Sequence, residues 1–228
     1  MKRNSNRYEF DQLMDLYSGD MVRLRSLAFA ERDARYDMTI FFNRNFHIEP
    51  SNVCIHKCSF CSYRRDSEEQ PGAWSMDIDQ IRDYCLQKYR KGITEVHIVG
   101  SVHPERDFDY YRSIISLVRE LLPKEVAIKA YSAVEIDDMC ISSGLGSEQV
   151  LTRLKEAGLD RVNVSIDTLD PVRFKFITRG GRLDLVLDGI AEAERVGIGP
   201  IKLNTVVVRG QNEQEVIDMA ALSIDKPW

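Results

Sequence analysis

At 228 residues, 43% of them hydrophobic, the chain is long enough for one large domain with a sizeable core, or one domain plus a short appendage. Its net charge of −5 argues against a nucleic-acid binder, which would carry a basic excess. No stretch has the apolar length of a membrane span, and the start MKRNSNR runs into YEFDQLMDLY with no apolar signal region, so a cytoplasmic protein is expected, with neither a nucleic acid nor a membrane as partner.

Residues 9 to 31 place apolar residues at helical spacing and predict one or two helices ahead of the main domain. Domains are accordingly expected at residues 1–42, a helical segment, and 43–228, the core. Phe46-His47-Ile48 predicts a strand ending at Pro50. DIDQIRDYCLQKYRKG predicts a helix stopped by Gly92, and TEVHIVG a strand ending at Gly100. DYYRSIISLVRELL is a helix closed by Pro123, and EVAIKAYSAV a strand. GSEQVLTRLKEAGL is a helix with Ser147 as its cap and Gly158 just past its end. RVNVSID is a strand, RLDLVLDGIAEAERVG a helix ending at Gly197, and IKLNTVVVRG a strand. NEQEVIDMAALSI is a last helix capped by Asn212.

Five strand–helix units in this rhythm require parallel strands with right-handed crossovers. The expected class is α/β, a partial (β/α) TIM-like barrel with N-terminal helices. By length the chain falls short of an eight-unit barrel of roughly 250 residues, and at least one more strand would be expected. In such folds the chemistry sits at the C-terminal strand ends. The cysteines, GSVHP, YSAVE, SID and VVVRG all fall there.

Three of the five cysteines lie within eight residues, in CIHKCSFC: Cys54, Cys58 and Cys61. The odd count and uneven spacing argue against a disulfide framework. Cys85 and Cys140 lie in helix-like runs and read as core thiols. A structural zinc site takes four ligands, and neither a second ligand pair nor a well-placed His56 completes one. Ferredoxin clusters use C-x2-C-x2-C and a fourth cysteine, a different spacing. Three thiolates on a cubane cluster leave one iron open for a substrate or cofactor. A zinc site and plain core cysteines remain the alternatives.

C-x3-C-x2-C with an aromatic before the last cysteine, after the first strand of a βα series, resembles the signature of the radical S-adenosylmethionine superfamily. The resemblance implies a [4Fe–4S] cluster on Cys54, Cys58 and Cys61. Its open iron would chelate the amino and carboxylate groups of S-adenosyl-L-methionine, which one electron cleaves to a 5′-deoxyadenosyl radical. It implies a small-molecule substrate and an electron donor such as flavodoxin or ferredoxin. Phe60 would lie near the adenine. VGSVHP looks like the family's Gly-Gly-Glu-Pro region, whose strand edge binds the methionine ammonium through backbone carbonyls. Here that edge is Gly100, Ser101 and Val102, with Val102 or His103 at the acidic position. An ordinary Gly–Pro turn is the alternative.

Within the superfamily, residues about 41 to 159 resemble aminofutalosine synthase of menaquinone biosynthesis, through NRNFHIEPSNVC, CSFCSYRR, TEVHIVGSVHP, IKAYSAVEID and LKEAGLD. That family adds the deoxyadenosyl radical to 3-[(1-carboxyvinyl)oxy]benzoate, a transferase reaction. Residues about 158 to 228 resemble GTP 3′,8-cyclase of molybdenum cofactor biosynthesis, through GLDRVNVSIDTLDP, RFKFITRGGRLDLVLDGI, GPIKLNTVVVRGQNEQEV and KPW. There Ser165 would contact S-adenosylmethionine and Lys202 would contact GTP. The synthase's PGGGAE segment, the cyclase's second three-cysteine cluster and its terminal double glycine are missing. The chain therefore reads as a mosaic joined near residues 154 to 165. The synthase-like reading is weighted first because that half carries the cluster loop. GTP cyclisation, a cluster-binding protein without turnover and a zinc-binding module are the alternatives.

Lys129, Ser132 and Glu135 are expected at the exit of the third strand. Glu135 is a candidate polar contact to cofactor or substrate, against a solvated loop charge. His47 and His103 flank the cluster loop and could meet a carboxylate, against a structural hydrogen-bonded role. Asp167, Thr168 and Asp170 read as helix caps. Lys202, mid-strand between apolar residues and alternating with Asn204, is expected to face the barrel and to need a partner. Arg179-Gly180-Gly181-Arg182 is either a phosphate grip or a plain loop.

Overall fold

The computed structural model describes residues 10–37, 39–58, 61–224 and 226, with the side chains of 10, 11, 13 and 17 left aside. The chain divides into two units, Met1–Phe42 and Asn43–Trp228. In the first, α1 (Phe10–Ser18) and α2 (Met21–Tyr36) are separate helices. Gly19 separates them: a Cβ there would meet the Asp15 carbonyl at 2.7 Å. Asp20 caps α2 by accepting from Val22 N at 3.2 Å.

The second unit is a parallel α/β half-barrel. Strands β1 (Asn45–Ile48), β2 (Glu95–Ile98) and β3 (Ala127–Ala130) form one parallel sheet in sequence order. β4 (Asn163–Ser165) and β5 (Lys202–Asn204) form a second parallel pair. A bridge between Lys129 and Arg161 joins β3 to the chain entering β4, so the five strands run 1-2-3-4-5. Alternation decides the two faces. Ile48, Val96, Ile98, Ile128, Ala130 and Val164 are buried in one apolar cluster with the helices. The opposite face carries His47, Glu95, His97 and Lys129, in register across β1 to β3.

The covering helices are α3 (Ile78–Lys88), α4 (Phe108–Leu121), α5 (Ala133–Ser143), α6 (Ser147–Ala157), α7 (Pro171–Ile177), α8 (Leu183–Arg195) and α9 (Val216–Ala221). Their apolar stripes close the core, with Ile81 and Cys85 from α3, Ile114, Ile115 and Val118 from α4, and Val150, Leu151 and Leu154 from α6. Cys85 is a core thiol, whose pKa burial pushes up to about 11. Cys140 is half-buried against the same cluster.

Several expected boundaries shift for local reasons. α3 stops at Lys88, with extended Tyr89 as its cap, before Gly92 is reached. The expected strand EVAIKAYSAV ends at Ala130. Tyr131 takes a left-handed φ of 63°, and Ser132 opens α5 with a capping box to Glu135. Ser147 is the first residue of α6, and Gly146 holds the cap position. Gly158 closes α6 at φ 116°, where a Cβ would meet Arg119 Cβ at 2.9 Å. α7 was not expected as a separate helix; Asp170 caps it and Pro171 starts it. β5 ends at Asn204, and exposed Val206, Val207 and Val208 pair with no strand among the described residues. β-propensity needs a partner face, and this run lies past the edge of the pair.

Asn212 does not cap the last helix. Its buried amide donates to the Asp167 carbonyl at 2.6 Å and the Val206 carbonyl at 2.8 Å, and accepts from Val208 N at 2.7 Å. It ties the exits of β4 and β5 together. Asn212→Ala should destabilise the chain by about 2–4 kcal/mol, because buried backbone groups lose their partners. A urea titration showing a change under about 0.5 kcal/mol, the scale of a neutral surface change, would contradict this.

Candidate active site

Ile48 leaves β1 into an extended run, Glu49–Val53, that delivers the cluster loop. Asn52 is fully buried and anchors this run. Its side chain donates to the Gly72 carbonyl at 2.9 Å and accepts from Trp74 N at 2.9 Å. Cys54 N donates to the Arg65 carbonyl at 3.1 Å, and Ile55 N to the Val102 carbonyl at 3.0 Å. Cys61 N donates to the Cys58 carbonyl at 3.2 Å, which turns the loop back on itself. Arg179 reaches across from the α7–α8 loop, with its Nη1 donating to the Lys57 carbonyl at 2.8 Å. The Arg179–Arg182 segment is thus a clasp on the cluster loop, built on a left-handed residue with φ 58°. Arg182 pairs with exposed Asp184 at its own helix start.

Cys54, Cys58 and Cys61 are all free thiols. Burial pushes the Cys58 thiol up, and the neighbouring Cys54 and Cys61 push it further, with Arg179 opposing. The Cys58 sulfur therefore lies within electrostatic reach of the other two. A crowded thiol that resists ionisation alone, as Cys58 does, is one that a cationic iron cluster relieves. Among the described residues no group of three or more His, Cys, Asp or Glu converges as around a single ion. A cubane is broader than one ion and asks for three thiolates, which this loop supplies as free thiols, so the chemistry of the donor set fits it. His56 lies near Asp138 on α5. Phe60 lies outside the described residues.

The exit of β2 forms the second wall. Gly100 has no room for a side chain: a Cβ would meet Pro50 Cδ and the Ser51 carbonyl at 3.1 Å. Ser101 Oγ donates to the Ser51 carbonyl at 3.0 Å, and the Ser101 carbonyl accepts from Tyr111 Oη at 3.1 Å. Val102 is buried, and its carbonyl already accepts from the cluster loop. Backbone recognition by Ser101 and Val102 must therefore use the second lone pair of each carbonyl. His103 is a structural histidine. Its Nδ1 accepts from Glu105 N at 3.1 Å, leaving Nε2 to face Glu68 at 3.2 Å.

Glu135, the candidate polar contact, is not the solvated loop charge that was its alternative. It is 4% exposed in the first turn of α5. One oxygen accepts from Gly100 N at 3.2 Å, and the other from Ser132 N and Ser132 Oγ, both at 2.7 Å. Burial raises its carboxyl pKa, and the hydrogen bonds from Ser132 and Gly100 oppose the rise. Its carboxylate holds the Gly100 edge in place, which makes it a positioning group, and Ser132 is committed to the same cap. The sequence signal was present as Ser132-x-x-Glu135, the capping-box spacing.

The β4 and β5 exits carry less. Ser165 is exposed at the end of β4. Lys202 is exposed at the sheet edge, where it lines a cleft of about 400 Å³ with Thr205, Val207 and Met219. That corrects the expectation of an inward lysine needing a partner: at an edge, water solvates it. Asn204 is exposed beside it. Of the three expected helix caps only Asp170 is one, at the start of α7. Asp167 instead accepts from Val206 N at 2.9 Å beyond β5, and Thr168 donates to Glu215 at 2.8 Å, because both face the neighbouring β5 exit and not the first turn of a helix.

The inner face beneath the cluster loop holds a polar row that was read only in pieces. Glu95 is 2% exposed and pairs with Lys129 at 3.1 Å and with Arg161. The His47 and His97 rings meet edge to face at 4.9 Å. The pKa of His97 is depressed to about 4, first by burial and then by the charges of Lys129 and His47, with Glu95 opposing. Folded His97 stays neutral where the unfolded imidazole, near 6.5, takes a proton. Its contribution is present above about pH 6.5 and is lost as pH falls toward 4. His97→Gln should therefore flatten the stability–pH curve in that window by about 2–3 kcal/mol. Parallel wild-type and variant curves would contradict it.

A parallel α/β half-barrel with a three-thiol loop at the exit of its first strand defines an enzyme class that builds an iron–sulfur cluster at the mouth of the barrel. The chain belongs to the radical SAM superfamily, whose family model matches residues 48–223. Membership implies a [4Fe–4S] cluster and S-adenosylmethionine, and the enzyme is a radical SAM enzyme. A GTP 3′,8-cyclase of Peptoclostridium acidaminophilum is 35% identical over 178 residues, covering 78% of this chain and 51% of that protein. An aminodeoxyfutalosine synthase of Thermus thermophilus is 33% identical over 155 residues, covering 68% and 41%. The two matches overlap along the chain, and the chain spans about half or less of each relative's length. Methylornithine synthase (PylB) shares the fold with a TM-score of 0.71 at 18% identity, over 93% of this chain and 60% of that one. The hydrogenase maturase HydG shares it with a TM-score of 0.66 at 16% identity, over 97% and 46%. No helix among the described residues is long and apolar enough to cross a membrane.

Proposed function

We propose that the chain is the core of an aminofutalosine synthase-like transferase that adds the 5′-deoxyadenosyl group to 3-[(1-carboxyvinyl)oxy]benzoate. The carrying observation is where the synthase-like segments fall. They build β1, β2, β3, the cluster loop and the Glu135 cap, which together form the walls of the site. When bound, the cluster and S-adenosylmethionine supply one-electron cleavage of the sulfonium. Cys54, Cys58 and Cys61 would hold the cluster. Gly100 and the carbonyls beside it would receive the methionine ammonium, with Glu135 and Ser132 fixing that edge. Arg179 would close the cluster loop against solvent. Residues 43–228 are the catalytic unit in this reading, residues 1–42 an appendage, and a small cytoplasmic electron carrier such as flavodoxin or ferredoxin the reductant.

GTP 3′,8-cyclisation is the second reading, and the 35% identity over 178 residues supports it, with exposed Lys202 and Ser165 at the β4–β5 exits as its contacts. The test is anaerobic reconstitution with iron and sulfide, then S-adenosylmethionine, dithionite and each substrate in turn. An adenosyl adduct from the benzoate enol ether supports the first reading. Consumption of GTP alone would replace it with the second, and a brown protein that releases no 5′-deoxyadenosine would sink both.

A further inference from the structure

His47, His97, Lys129 and Arg161 stand in one register row across β1, β2, β3 and the entry to β4. The helices cover the other face of the sheet, so this row lines the inner side. Glu95, one pair of residues below, draws on both cations: Oε1 faces Lys129 and Oε2 faces Arg161. Two cations against one carboxylate leave a surplus of one positive charge, in a chain whose net charge is −5. Arg161 Nε is buried and has no hydrogen-bond partner. The row is also open to approach, since His47 is exposed while Lys129 keeps 15% of its side-chain surface. A buried guanidinium donor without an acceptor and an unbalanced cation are both relieved by an anion.

We propose that this row is the seat for one carboxylate of the substrate, held by Lys129 and Arg161 and flanked by the paired imidazoles of His47 and His97. The identity of the acid rests on the synthase-like reading; the seat does not. Size and charge favour a small acid. His97 lies three residues before Gly100, about 10 Å along a strand. That leaves room for a ring-sized body between the seat and the Gly100 edge. A nucleoside triphosphate would bring several charges to a row with one surplus cation, and the remainder would be desolvated without partners.

The test uses the anaerobically reconstituted protein and two probes, 3-hydroxybenzoate and its methyl ester, titrated calorimetrically. The acid should bind, and the ester should bind about tenfold more weakly or worse. Lys129→Met should weaken the acid by at least about tenfold and leave the ester unmoved. Glu95→Gln should tighten the acid several-fold, because both cations are released; a purely structural Glu95 would give no such gain. Iron content and far-UV circular dichroism confirm that each variant is folded, and if Lys129→Met fails to fold, the ester comparison and Glu95→Gln decide. Equal binding of acid and ester, no binding of the acid, or weaker binding in Glu95→Gln overturns the seat. If the enol ether is turned over while acid and ester bind equally, the seat alone is wrong. If the acid binds through Lys129 but only GTP is consumed, the seat stands and the synthase reading falls.

Discussion

Replacing any one of Cys54, Cys58 and Cys61 with alanine should abolish reductive cleavage of S-adenosylmethionine while leaving the fold standing. Cys61 is exposed and Cys54 and Cys58 are half-buried, so the apoprotein should lose less than about 1 kcal/mol. Cluster retention should fall much further than the ~10–100-fold that loss of an outer partner costs, because a direct thiolate ligand is gone. Iron and labile sulfide per chain, visible absorbance and 5′-deoxyadenosine yield measure this together. Alanine at Cys85 or Cys140 is the control, since neither lies in the loop. A Cys58→Ala protein that keeps full iron and still releases 5′-deoxyadenosine would refute the assignment of the three-thiol loop.

Glu135→Ala should be the most damaging change outside the cysteines. It strips acceptors from Gly100 N and Ser132 N inside the core, at about 1–3 kcal/mol for each orphaned donor. The sum, about 2–6 kcal/mol, is a large part of the stability of an ordinary domain. Thermal melting should drop by roughly 5–15 °C. The same change frees the Gly100 strand edge, so S-adenosylmethionine binding should weaken along with stability. Glu135→Gln separates the two effects by keeping one acceptor oxygen and losing the charge. Because burial raises this carboxyl, the folded state holds its proton more readily than the unfolded chain does, whose value is near 4.5. Its stabilisation is therefore present below about pH 4.5 and is lost as pH rises through the folded value. The glutamine variant should lack that slope. A melting temperature within about 2 °C of wild type for Glu135→Ala would show that the cap does not hold the edge.

The strand–helix rhythm was legible because alternation and helical spacing are local. Ile48, Val96, Ile98 and Ile128 announced buried strands, and Ile114, Ile115 and Val118 a helix face. α5 was missed although Ser132 and Glu135 sat at capping-box spacing, because the β-prone run EVAIKAYSAV masked the turn at Tyr131. The valines after Asn204 misled for a related reason: their preference for strand is realised only with a neighbour to pair. Asn212 read as a cap because its position before a helix is a local feature. Its three bonds to the β4 and β5 exits belong to tertiary structure.

The sequence by itself determined the class of enzyme and the order of the strands, and it marked the three-thiol loop as the candidate cluster site. A ligand loop is contiguous, and its spacing is its function. Only the tertiary structure decided what supports that loop and what lies below it. Arg179 meets Lys57 across 122 residues, Glu135 meets Gly100 across 35, and Arg161 meets Glu95 across 66. Contacts at such separations leave no periodicity along the chain. They arise when parallel strands bring distant residues into one register row, and a carboxylate, a guanidinium or a free N–H then finds the partner that burial requires.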